Sequence, residues 1–290
     1  MCGAGAIDMK KSHLEVLPLT GALGAEVLGV DISKHLDDEV IAEIRQIFLK
    51  YCVIFFRDQN LTVEQQKAFA ARFGTLTHHP YIKTGGDSTV VEVRREPHDA
   101  RVIGDEWHSD VSMLAEPPMG SILYGVEIPP VGGDTLFSNQ YRAYEALSPG
   151  MQRMLDGVKA WHSDRVIANP SLLKTENKER STRIEVQGDW QEHGNFHPVV
   201  RTHPETHRKG LFVNALQTFH FEGMTDAESE GLLSYLFKHA NRIEFTCRFR
   251  WRQGSVAFWD NRCTNHYAVN DTAGYRRVMR RVQINGDCPQ

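Results

Sequence analysis

The stretch Ser255–Val269 reads SVAFWDNRCTNHYAV. Its opening, Ser255–Trp259, is apolar, aromatic and strongly β-like, and a polar turn then leads into a second strand-like run around His266–Val269. Working outward, Glu244–Trp251 before it and Arg276–Ile284 after it read as two more strands. Upstream, strand patterns fall at Leu14–Pro18, Ala25–Val30, Val53–Phe56, Val90–Val93, Ser121–Val126, Thr135–Phe137, Pro198–Thr202 and Leu211–Val213, with a strand-like run around Trp107–Met113. Helices interrupt this series. Asp37–Lys50 carries Ile41, Ile44, Ile47 and Phe48 as one apolar stripe, with Asp37 or Asp38 near its N-cap. Thr62 and Gln65 form a capping box for a helix that Gly74 follows, and Thr225 and Glu228 form another ahead of Leu232, Leu233, Leu236 and Phe237. Asn139–Leu147 and Ser148–Val158 also read as helical. Many strands with few helices predict a mainly β fold with flanking helices: one sandwich or barrel domain over 13–290, behind a loose tail at 1–12. The polar, weakly periodic stretch Asp164–Asn195 is expected to be a mobile loop or lid.

The chain has 290 residues and a net charge of −4, which argues for neither nucleic acid nor an anionic membrane as partner. Its five cysteines are scattered, without a CxxC pair, so neither a zinc ribbon nor a disulfide framework is expected. No stretch approaches the roughly 18 apolar residues of a membrane span, and the start MCGAGAIDMKKSH has no leader pattern. The expected location is the cytoplasm; assembly into a homo-oligomer is left open.

The tetrapeptide Trp-His-Ser-Asp occurs twice, at Trp107–Asp110 and Trp161–Asp164. On a strand, residues two apart share a face, so one imidazole and one carboxylate can grip one ion. The pattern His-x-Asp/Glu is common here, with six instances, so spacing alone selects none. His108/Asp110 stands apart because it follows the Gly104-Asp105-Glu106 turn and enters a strand-like run. The polar turn after Trp259 can bring His266 to a barrel mouth as third ligand, completing a two-histidine, one-carboxylate set. In Arg276–Arg281, alternation places Arg277 and Arg281 on one face and Arg276 and Arg280 on the other. Two inward guanidiniums require anions, and an arginine fork binds a carboxylate or sulfonate bidentately. A solvated basic edge strand is the alternative.

Several marks in order over Leu14–Pro289 resemble the taurine dioxygenase family of iron(II)/2-oxoglutarate-dependent oxygenases, which includes the aryloxyalkanoate dioxygenases. They are WHSD at 107–110, PP at 117–118, GGDT at 132–135, HPVVRTHP at 197–204, FVN at 212–214 and WDNRCTNHYAV at 259–269 followed by RRVMRR. The resemblance implies a double-stranded β-helix (jelly-roll) core. It implies His108, Asp110 and His266 as iron(II) ligands, and Thr135 with Arg277 as the pair holding the distal carboxylate of 2-oxoglutarate. Arg281 and His79 would contact an anionic substrate, and Ile82 and Gln217 stand at further substrate-facing positions. His162, in the second WHSD, falls near the pocket as a structural residue rather than a ligand. With O2 as second co-substrate, the implied reaction is hydroxylation of a small organic anion next to a heteroatom, so that the product fragments. Sulfonates such as taurine and aryloxyalkanoates or other carboxylates are both open. Arg94-Arg95-Glu96 and Arg101–Asp105 look like the aryloxyalkanoate branch. A jelly-roll metal- or oxoacid-binding sensor without catalysis is the alternative. Trp107 and Trp259 are expected in the core.

Overall fold

The computed structural model describes residues 14–82, 89–186, 188–272 and 274–290. The tail expected at 1–12 lies outside the described residues. The first half of the chain forms β1 (Glu15–Pro18), β2 (Ala25–Leu28), α1 (Asp38–Tyr51), β3 (Val53–Phe56), α2 (Val63–Ala71), β4 (Val90–Arg95), β5 (Gly120–Glu127), β6 (Thr135–Asn139), α3 (Gln140–Glu145) and α4 (Pro149–Leu155). The second half forms β7 (Lys159–Ser163), α5 (Pro170–Glu176), β8 (Gly194–Pro198), β9 (Val200–Thr202), β10 (Lys209–Leu211), β11 (Thr218–Phe221), α6 (Asp226–Ala240), β12 (Thr246–Phe249), β13 (Val256–Asp260), β14 (Thr264–Ala268) and β15 (Arg277–Ile284). Both capping boxes form as the sequence predicts, at Thr62/Gln65 and Thr225/Glu228. Asp37 occupies the N-cap of α1 but its side chain makes no capping bond.

The strands assemble into a seven-stranded sheet, in the order β1-β2-β3-β13-β5-β15-β4, and a three-stranded sheet β12-β6-β14. A second three-stranded sheet β11-β7-β8 and the pair β10-β9 complete the set. The stretch that opened the reading sits at the centre. All five residues of β13 are buried, because helices cover one face and a second sheet the other. Val256 and Phe258 point to the cluster under α1 and α2, with Ile44, Phe48 and Phe69, and Phe258 stacks on Phe48 at 4.1 Å. Ala257 and Trp259 point the other way, to Phe55, Phe137, Phe249 and Met279. Strand alternation on β13 thus joins two cores. Phe258→Ala empties the first of them and is expected to cost about 3–5 kcal/mol in a urea unfolding titration. A loss under about 1 kcal/mol would contradict this packing.

Three expectations change. The run Trp107–Met113 is not a strand: only His108 makes a β-bridge, and the chain then turns at Asp110–Met113 with Val111 at φ 41°. The strand-borne copy of WHSD is the second one, on β7. The stretch expected as a mobile loop or lid contains α5 and is stitched to its surroundings. Arg94 N donates to Thr182 Oγ1 at 2.6 Å, Thr182 Oγ1 donates back to Arg94 O at 2.7 Å, and Ser181 Oγ donates to Asp99 Oδ1 at 2.9 Å. Leu173 and Ile184 pack on Ile82 and Val91. Trp107 is half-buried against Tyr267 rather than in the core, whereas Trp259 is 1% exposed.

Candidate active site

His266 projects from β14, whose partner β6 sets Phe137 opposite it. On its free edge, His266 exchanges both backbone hydrogen bonds with His108, at 3.0 and 2.7 Å. Directly opposed residues point to one face, and the two rings lie 4.1 Å apart. One bridge therefore does for His108 what a full strand was expected to do. Asp110 reaches the same point from its turn. Ser109 Oγ donates to the Asn261 carbonyl at 2.8 Å, and Trp259 Nε1 orients the Asn261 side chain at 2.9 Å. Asp110 Oδ2 accepts from Ser121 Oγ at 2.6 Å, and Oδ1 accepts from Arg281 Nη1 at 2.8 Å.

The three ligand candidates are buried, and their ligand atoms all lie within 4.8 Å of one another. Asp110 Oδ1 is 3.9 Å from His108 Nε2 and 3.8 Å from His266 Nε2. Both separations are under twice a metal–ligand bond of about 2.1 Å, so one ion between them can touch all three. The protonation states suit a cation. Burial would push the Asp110 carboxyl up, but the Arg281 guanidinium and the Ser121 hydrogen bond outweigh it and hold it well below the usual carboxylate range. Burial pushes both imidazoles down, so each is neutral with a lone pair to give. His108 Nδ1 lies 2.7 Å from the Glu106 carbonyl, which can only accept, so the proton sits on Nδ1 and Nε2 is free. Among the described residues, His266 Nδ1 is buried without a partner. The residues present fit a two-histidine, one-carboxylate iron site.

A second candidate group, His203, Asp260 and Cys263, does not fit a metal. Asp260 Oδ1 accepts from Arg262 Nε at 2.8 Å, and Oδ2 accepts from Arg262 Nη2 at 2.7 Å and His203 Nε2 at 3.0 Å. Its carboxylate is fully engaged, and burial raises the Cys263 thiol well above its ordinary value.

Alternation holds on β15. Arg280 binds Gln66 Oε1 at 2.7 Å on one face, while Arg277 and Arg281 flank the buried Met279 on the other. Arg277 donates to the Gly133 carbonyl at 3.1 Å; its Nε is buried with no partner, and among the described residues it forms no ion pair. Burial, with Arg95 nearby, depresses its pKa to about 10. A guanidinium so placed calls for an anion. Thr135 Oγ1 accepts from Trp251 Nε1 at 2.9 Å, and the Trp251 ring lies 5.9 Å from the Arg277 guanidinium carbon. Trp251 thus links the two; the sequence marked it only as the end of a strand.

A cavity of about 170 Å³ opens beside His108 and Asp110. Its walls include His79, Ile82, Val166, Ile167, Gln217 and Arg281. His79 Nδ1 accepts from the Tyr81 and Ile82 backbone at 3.1 and 2.9 Å, so Nε2 carries the proton. Burial, reinforced by Arg281, lowers its pKa to about 3, leaving a neutral donor. Gln217 is more tied down than a substrate contact would be: it bonds to Ser109, Ser112 and Asn214. Arg180 and Glu176, from the stretch that was expected to be a lid, also line this cavity.

The family described as "Taurine catabolism dioxygenase TauD, TfdA family" matches residues 15–283. The chain belongs to this family. An alkylsulfatase of Acinetobacter baylyi is 34% identical over 288 residues, spanning 97% of this chain and 88% of its own length. An alpha-ketoglutarate-dependent sulfate ester dioxygenase of Pseudomonas putida is 34% identical over 290 residues, spanning 96% and 91%. A taurine dioxygenase of Burkholderia xenovorans superposes with a TM-score of 0.79 at 38% identity, covering 95% of this chain and 90% of that one. The protein is a 2-oxoglutarate-dependent dioxygenase, working with iron(II), 2-oxoglutarate and O2, and not the non-catalytic sensor that the sequence left open.

Proposed function

We propose that this dioxygenase hydroxylates the carbon next to the ester oxygen of a small organic sulfate, with sulfonates as the nearest second class. The observation that carries the reading is the cavity. Its exposed wall is more apolar than polar, with Ile82, Val166 and Ile167 in it, and Arg281 and His79 stand in the same wall as His108 and Asp110. That arrangement suits an apolar body with one anionic head. Supporting it, two relatives sharing about a third of the residues are named for sulfate esters.

In this reading His108, Asp110 and His266 hold iron(II), which with 2-oxoglutarate and O2 supplies oxidative decarboxylation to succinate and CO2 and one oxygen atom for the substrate. Arg277 and Thr135 hold the distal carboxylate of 2-oxoglutarate. Arg281 and the neutral His79 hold the sulfate head, and Ile82 packs on the apolar body. The protein's part is positioning and exclusion of water. A carbon bearing both a hydroxyl and a sulfate oxygen collapses to an aldehyde and hydrogen sulfate, so every atom of the substrate and the added oxygen is accounted for. We read the two facing sheets as a double-stranded β-helix within one domain over 13–290. No helix among the described residues is long and apolar enough to cross a membrane, and we place the enzyme in the cytoplasm.

Succinate release over a panel of alkyl sulfates, alkyl sulfonates and aryloxyalkanoates tests the substrate. Turnover is expected with a sulfate ester, together with free sulfate. Succinate formed only with aryloxyalkanoates would contradict the assignment. Arg281→Leu is expected to raise the KM for the sulfate ester by about tenfold or more, since charge-assisted bonds contribute roughly 1.5–3 kcal/mol. A change confined to the KM for 2-oxoglutarate would reverse the roles given to Arg277 and Arg281.

A further inference from the structure

The second WHSD copy faces no metal site, yet His162, Ser163 and Asp164 are completely buried. The His162 ring lies on β7, stacked on Phe212 at 5.3 Å and edge-on to His197 at 5.3 Å. Its Nδ1 is 2.9 Å from Ser112 Oγ, in the turn that begins at Asp110. Ser112 Oγ donates to Gln217 Oε1 at 2.8 Å and accepts from Asn214 Nδ2 at 3.1 Å. The other end of that carboxamide, Gln217 Nε2, donates to the Ser109 carbonyl at 3.4 Å. Gln217 thus spans the two sides of Asp110. The next residues are held from the same quarter: Asn195 Nδ2 donates to the Met113 carbonyl at 2.8 Å, and His197 Nε2 to the Leu114 carbonyl at 2.9 Å.

We propose that His162, acting through Ser112 and Gln217, is a positioning residue that fixes the Asp110 carboxylate for the metal: the second WHSD aims the first. The inference rests on the iron-site reading above. Hydrogen-bond directions favour one arrangement, in which His162 Nε2 accepts from Thr218 Oγ1 at 3.4 Å. The Ser109 carbonyl only accepts, so the Gln217 amide nitrogen faces it and Oε1 faces Ser112. Ser112 has one proton, and it goes to that oxygen. His162 must then donate to Ser112 from Nδ1. Burial, with His197 beside it, takes the His162 pKa down to about 3, so the ring stays neutral with one N–H, as this chain of bonds requires. The turn needs such a clamp because it starts beside a left-handed Val111, which no strand ladder holds.

The test is anaerobic titration with Co(II) alone, whose visible d–d absorption reports coordination geometry. The proteins are the wild type, His162→Phe, His162→Asn and Ser112→Ala. His162→Phe and Ser112→Ala are expected to weaken Co(II) binding by about tenfold or more, the scale of lost outer-shell partners, and to alter the d–d bands. His162→Asn, whose amide N–H can stand in for Nδ1–H, restores most of the affinity. Wild-type affinity and spectrum in both weakened variants would overturn the proposal, even if they melted earlier, because that is the mark of a packing role. Ser112→Ala removes one oxygen atom and adds no volume, so the test stands if His162→Phe does not fold. A wild-type chain that bound no Co(II) would instead overturn the iron-site reading itself, and with it this inference.

Discussion

Asp110→Ala is expected to lose bound metal and turnover together. Asp110 is the only anion in the ligand set, and both neighbouring imidazoles are neutral, so a divalent ion left with them alone keeps little reason to stay. The same change strands the Arg281 guanidinium, which is 8% exposed and donates to Asp110 Oδ1. An uncompensated buried cation beside the site adds repulsion to the lost bond. The loss should exceed the roughly 10–100-fold typical of an outer-shell partner. Asp110→Asn keeps the shape and separates charge from packing; it should also lose the metal while melting near the wild type. Metal content after gel filtration and succinate release are the readouts. Turnover at the wild-type rate in either variant would sink the ligand assignment, as would full turnover in His108→Ala.

Arg277→Leu carries the second large effect. Its guanidinium is buried and donates to the Gly133 carbonyl, and among the described residues its Nε has no partner. A carboxylate arriving there meets a fork already stripped of water, and leaving that carboxylate unpaired costs about 2–5 kcal/mol. The KM for 2-oxoglutarate should therefore rise by about 30-fold or more, with the KM for the organic substrate nearly unchanged. Arg277→Lys keeps the charge but not the fork and should recover part of the loss. An unaltered requirement for 2-oxoglutarate would remove Arg277 from the site.

Much of this was legible in the sequence because it depends on short-range periodicity. Alternation along Arg277–Ile284 put Arg277 and Arg281 on one face, and they lie there on either side of Met279. The capping residues Thr62 and Thr225 fixed two helix starts from a four-residue pattern. The β character of Ser255–Trp259 marked the central strand. What failed was the local reading of WHSD. The sequence favoured a strand under His108 and Asp110, but the chain needs only a single bridge, His108 to His266, followed by a turn. That bridge joins residues far apart in sequence, and no local pattern announces it. The supports of the site were hidden for the same reason. Trp251 on Thr135, and Gln217 on Ser109 and Ser112, are contacts between distant segments, and Ser121 on Asp110 spans a turn that no periodicity marks. Gln217 was placed near the pocket, but its hydrogen bonds to Ser109 and Ser112 could not be inferred from its position. The stretch Asp164–Asn195 read as a mobile loop or lid because, apart from the short α5, side-chain bonds to Arg94 and Asp99 hold it rather than periodicity.

The central claim is that His108, Asp110 and His266 would hold iron(II), with 2-oxoglutarate held beside it by Arg277. Mixing the protein with iron(II) and 2-oxoglutarate under nitrogen, and recording the visible spectrum, tests it most directly. The account predicts a weak metal-to-ligand charge-transfer band with one equivalent of iron, absent from Asp110→Ala and needing more 2-oxoglutarate in Arg277→Leu. A colourless wild-type mixture, or a band that survives Asp110→Ala unchanged, would contradict it.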